Sequence, residues 1–135
     1  YQITTFLVGE EVKDVNCQAR YSHTGVDTTD HISMRVDNCL IDITATIETK
    51  IDENLIVYGE KGKITLPHSQ WADECIFESI DGGKIIFSDN ETQNGFVGEI
   101  QEVIKCVRDG KKESCVVPHS LTINCSKVLD MITQK

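Results

Sequence analysis

The sequence has no long hydrophobic run. Hydrophobic residues make up 39% of its 135 positions, but no stretch approaches the roughly 20 apolar residues that a bilayer-spanning helix needs. It also has no basic leader ending in small residues, which is the pattern of a secretory signal. We therefore expect no membrane as a partner.

Basic residues are few. The chain has 13 Lys and Arg against 22 Asp and Glu, which gives a formal net charge of -9. Nucleic-acid binding draws its affinity from Lys and Arg that neutralise phosphates, and here those residues are scattered. Nucleic acid is therefore not an expected partner. The length and composition are those of one globular domain, which we expect to span residues 1–135.

The six cysteines include no CxxC pair. They are Cys17, Cys39, Cys75, Cys106, Cys115 and Cys125. The nearest approach to a metal-ligand set is Cys106, Cys115, His119 and Cys125, whose irregular spacing is unlike that of structural zinc sites. A chain of this size does not need disulfides for stability, so we expect reduced thiols, no bound metal and a cytoplasmic location.

Complete catalytic and phosphate-binding motifs are also missing. The glycines and lysines of 59–63 lack the GxxxxGK[ST] order, so this segment predicts a hairpin turn. His119 and Ser120 are neighbours in sequence, but a catalytic triad needs a base and an orienting group that converge in space. Ligand or acid–base chemistry is conceivable for His23, Asp27, Asp30 and His31. We favour a solvated turn for this polar segment.

Alternating apolar and polar residues predict strands with one buried face. The predicted strands cover residues 12–21, 32–36, 41–47, 55–58, 63–66, 75–80 and 84–87. Helical periodicity follows over 96–107, with Asn94 as the cap and Gly110 after the end, and again over 121–132. Strands followed by helices indicate an α+β domain with an open, mainly antiparallel sheet and helices packed on one face.

The chain begins inside a predicted helix. Ile3, Phe6 and Leu7 are spaced for one helical face, and Gly9 ends the segment. No capping residue precedes Tyr1, so we expect the natural chain to extend upstream.

Trp71 is the only tryptophan. An indole between polar residues and a strand is most often part of a core. Because tryptophan is also enriched at binding hot spots, Trp71 is the candidate interface anchor.

The order and spacing of several segments resemble the C-terminal domain of the glucose-fructose oxidoreductase, inositol dehydrogenase and rhizopine-catabolism family. The segments are the opening helix with Tyr1 and Gly9, the loop 24–27, the strand and turn 57–64, Trp71, and the runs 94–99 and 110–114. Within this family, the dihydrodiol and xylose dehydrogenase branch is most similar.

The resemblance implies the C-terminal half of a two-domain enzyme. Members oxidise or reduce sugars, polyols or related diols with NAD or NADP, which bind to an N-terminal domain not included in this sequence. The C-terminal domain shapes the substrate pocket and commonly pairs subunits through its sheet. We therefore expect a homodimer, and we expect this chain alone to be inactive and to bind no cofactor.

The resemblance also assigns a role to Tyr1. It stands where the most similar branch has the tyrosine of a D-x-G-x-Y motif, and the position three residues later, a histidine in other branches, is Thr4. This departure favours the tyrosine as proton donor. Its pKa, ordinarily about 10, would be lowered by a lysine of the N-terminal domain. Without the resemblance, Tyr1 is an ordinary helix residue.

A second hypothesis stays open. Because a fold does not fix a function, the parent protein could be a non-catalytic binding or regulatory protein on the same scaffold. The upstream sequence discriminates: a G-x-G-x-x-G turn after a first strand, with a lysine before Tyr1, favours the enzyme.

Overall fold

The computed structural model describes residues 2–9, 11–90 and 94–133. Its elements, in chain order, are helix α1 (Gln2–Val8), strands β1 (Val12–Tyr21), β2 (Asp27–Val36), β3 (Cys39–Thr46), β4 (Leu55–Gly59), β5 (Gly62–Leu66), β6 (Glu74–Ser79) and β7 (Lys84–Ser88), and helices α2 (Phe96–Arg108) and α3 (His119–Thr133). Two compact units divide the chain, the first formed by Tyr1–Lys50 with Asp109–Lys135 and the second by Ile51–Arg108.

The first unit contains a three-stranded antiparallel sheet in the order β1-β2-β3. Its alternating sequence places apolar residues on one face, where Cys17, Met34 and Val36 are buried. Helix α3 lies against β1 and contributes the buried side chains of Leu121 and Val128. The buried apolar core of the described residues therefore lies in this unit.

Strand β2 begins earlier than the sequence predicted. Residues Asp27 to Asp30 look like a polar loop, yet Asp27 pairs with Tyr21 and Thr29 pairs with both Arg20 and Thr46. Backbone hydrogen bonds to the neighbouring strands stabilise this part of β2 even though its side chains are polar. Polar side chains are compatible with an antiparallel sheet because one of its faces can be exposed to water. The connection between β1 and β2 is therefore only the turn of residues 22–26, which is shorter than the polar segment suggested.

The second unit contains a four-stranded antiparallel sheet in the order β4-β5-β6-β7. Tight hairpins join β4 to β5 at the predicted turn and β6 to β7 after Ser79, whereas residues 67–73 connect β5 to β6. At the tightest one, Gly62 has φ +151°, and a Cβ there would meet the backbone carbonyl of Glu78. A glycine is thus required for β5 to approach β6 at this point.

The α+β class with open, antiparallel sheets is confirmed. The strands divide between two sheets, and the alternation pattern does not predict this division, because it indicates which side chains share a face and not which strands are neighbours. Among the described residues, no helix is long and apolar enough to cross a bilayer.

Candidate interaction surface

Tyr1, the predicted proton donor, lies outside the described residues. The described part of its helix begins at Gln2, and Thr4 is half-buried within that helix. The catalytic assignment of Tyr1 therefore stays a prediction from the resemblance.

Trp71 lies in the connection between β5 and β6, where its backbone N–H donates to the carbonyl of His68 at 2.7 Å. The indole is 64% exposed, so it does not belong to the core. Its ring meets the ring of Phe96 edge to face, with centroids 6.3 Å apart and planes at 76°. Aromatic pairs prefer this arrangement because the positive edge of one ring faces the negative face of the other.

Phe96 is held in place by the start of α2. Its backbone N–H donates to Oδ1 of Asn94 at 3.0 Å, and the N–H of Val97 donates to the Asn94 carbonyl at 3.0 Å. The predicted cap is therefore confirmed, and it fixes the first turn that carries Phe96. The sequence showed Phe96 only as part of a helical apolar stripe. The sequence spacing of Phe96 and Trp71 does not predict the contact between their rings.

One face of the four-stranded sheet is mainly apolar. Register and alternation place eight apolar residues on it, two from each strand, with Gly59, Gly62 and Ser79 at the hairpin end of the same face. We call the eight apolar residues the apolar sheet face. Its members are Leu55, Val57, Ile64, Leu66, Cys75, Phe77, Ile85 and Phe87. No described residue of 51–108 is buried, and Phe87 is 60% exposed. Within the described residues of 51–108, this face is therefore a hydrophobic surface that no other element buries.

The opposite face of the same sheet is mixed. Its central row consists of Ile56, Thr65, Ile76 and Ile86, and the next row, beside the hairpin turns, pairs Tyr58 with Lys63, Lys63 with Glu78, and Glu78 with Lys84. Nζ of Lys63 lies 2.7 Å from Oε2 of Glu78. The hydrogen bond to Lys63, followed by its charge, lowers the pKa of Glu78, and the same bond raises the pKa of Lys63. The Lys63–Glu78 ion pair makes the hairpin end of this face polar.

A groove of about 330 Å³ lies at one end of the apolar sheet face. Its apolar lining comes from Val57, Ile64 and Phe77, and the hairpin 59–62 forms its rim with Glu60 and Lys61. The groove is continuous with the apolar sheet face, since these three apolar residues belong to both.

The polar face of the three-stranded sheet also has paired charges. Arg35 donates from Nε at 2.8 Å and from Nη2 at 2.6 Å to Oδ2 of Asp14, which occupies a bulge of β1 with φ 54°. Nη1 of Arg20 lies 3.2 Å from Oε2 of Glu48. Because these exposed pairs satisfy one another, this face offers no row of unmatched charge to a partner.

The four residues of the polar segment do not form one cluster. His23 is exposed in the turn, whereas Asp27 and Asp30 lie on β2. Partial burial, then a hydrogen bond and charge repulsion from Asp27, raises the pKa of Asp30. His31 has its Nδ1 3.2 Å from Oγ1 of Thr44 and its Nε2 3.9 Å from Oδ1 of Asp42.

The described residues also offer no ligand set for a metal ion. They contain no group of three or more His, Cys, Asp or Glu side chains placed to hold one. No disulfide joins the six cysteines, all of which lie in the described ranges. Cys106, Cys115, His119 and Cys125 therefore do not form such a group.

Comparison with known proteins adds no assignment. No protein-family model matches the chain, and no curated protein matches its sequence.

Proposed function

We propose that this chain is the substrate-binding and dimerisation domain of an NAD(P)-dependent oxidoreductase that transfers hydride between nicotinamide and a sugar, polyol or diol. The order of its sequence segments, which resembles the family described above, supports this assignment. The sheets are open and antiparallel, as the resemblance implies, although the strands form two sheets and not one.

The single observation that carries the dimerisation role is the apolar sheet face. Eight apolar side chains on this face are at least partly exposed to water. A partner that covers them gains free energy, since burial of apolar area contributes about 25 cal/mol per Å². A second copy of the chain covers this face in the proposed dimer, because symmetric homodimers are the commonest oligomers and use one patch twice. Trp71, supported by Phe96, is the proposed anchor.

Among the described residues, the starts of α2 and α3 do not resemble a dinucleotide site. The pyrophosphate of NAD or NADP binds at free N–H groups of a helix N-terminus after a glycine-rich turn. Here the first amide of α2 donates to Asn94, and the N–H of His119 at the start of α3 donates to Oε2 of Glu113 at 2.7 Å. The Glu113 carboxylate would repel a phosphate. These contacts support placing the cofactor on the proposed N-terminal domain.

The proposed proton donor is Tyr1. A tyrosine hydroxyl can give its proton to an alkoxide oxygen of the substrate when a nearby cation lowers its pKa from about 10. The experiment is Tyr1→Phe in the full-length protein, with kcat and NAD(P) affinity measured separately for sugar, polyol and diol substrates. We expect kcat to fall roughly 10²- to 10⁴-fold with cofactor affinity unchanged.

Two results would contradict this proposal. A loss in kcat below about fivefold is too small for a general acid and would make Tyr1 an ordinary helix residue. An absence of any NAD(P)-linked turnover in the wild-type protein would remove the enzyme assignment. It would favour the second candidate, a non-catalytic binding or regulatory protein, for which an exposed apolar sheet face is sufficient.

A further inference from the structure

We draw no further inference here: the strongest candidate, the groove of about 330 Å³ at the Gly59–Gly62 end of the four-stranded sheet, belongs to the surface already assigned to the homodimer, and nothing in the structure shows that any other partner covers it.

Discussion

At the scale of single residues, Trp71 combines high exposure with an edge-to-face contact to a second aromatic ring. Its only ring contact in the described residues is Phe96, whose position the Asn94 cap sets. A tryptophan side chain has only two χ angles, so it loses little conformational entropy for its large area when a partner covers it, and tryptophan is enriched at hot spots. The pair is therefore the part of the proposed interface whose removal is most informative.

Trp71→Ala should weaken the dimer about 30-fold, corresponding to a hot-spot loss of about 2 kcal/mol. The dimer dissociation constant is measured by analytical ultracentrifugation over a dilution series. Tyr58→Ala is the control, because Tyr58 is 78% exposed and lies on the opposite face of the sheet. An unchanged dimer together with a raised KM would instead place Trp71 against the substrate.

Asp30 gives a prediction on pH. Burial and the neighbouring Asp27 raise its pKa in the folded state, so the folded protein binds a proton more tightly than the unfolded chain. The stabilising contribution of this group is present below its unfolded pKa, near 4, and is lost as pH rises through the folded pKa. At neutral pH, the ionised Asp30 is thus destabilising.

Asp30→Asn should therefore raise the free energy of unfolding at pH 7 by up to about 0.5 kcal/mol, and the gain should shrink below pH 4. Urea denaturation at both pH values measures it, with exposed Asp52→Asn as the control. A gain of equal size at both pH values would contradict the role of the charge.

At the scale of elements, the strands were predicted well where local pattern decides them. The bounds of β1 match the prediction, and the turn at Gly59–Gly62 falls where the sequence places it. The prediction failed for the start of β2, where pairing with β1 and β3 overrides the loop composition of Asp27 to Asp30. Pairing with strands that are distant in sequence cannot be recognised from the composition of a short segment.

Gly62→Ala should destabilise the protein by roughly 1–3 kcal/mol, because the added Cβ meets the backbone of Glu78 and the residue has positive φ. Gly98→Ala is the matched control. Gly98 lies within α2, and nothing lies within 4 Å of an added Cβ, so we expect a gain of about 0.5–1 kcal/mol. Both are measured by thermal and urea denaturation. Equal effects would contradict the account of the turn at Gly62.

The candidate site was only partly predictable from the sequence. Trp71 stood out by its residue type, whereas the apolar sheet face depends on the register of four strands. Alternation shows that Ile85 and Phe87 share a side, but only the pairing of β7 with β6 places them beside Phe77 and Cys75. A continuous surface is a property of the sheet, so no single segment encodes it.

At the scale of the whole molecule, net charge and apolar surface act in opposite directions. The formal charge of -9 opposes association of two copies. The apolar sheet face favours association, and its eight members carry no charge. Because screening by salt weakens the repulsion without reducing apolar burial, the proposed dimer should tolerate physiological ionic strength.

The central claim is that a second copy covers the apolar sheet face, and two adjacent residues of β7 test it directly. Ile85 lies on this face and Ile86 on the opposite one, yet each is 51% exposed. Ile85→Lys and Ile86→Lys therefore add the same charge to equally exposed positions. Circular dichroism confirms first that both variants are folded.

The measurement is the molar mass in solution by sedimentation equilibrium. We predict a dimer for the wild-type chain and for Ile86→Lys, and a monomer for Ile85→Lys, because a lysine cannot be buried in an apolar interface without a large desolvation cost. A wild-type chain that stays monomeric at high concentration, or a dimer that Ile85→Lys leaves intact, would contradict the account.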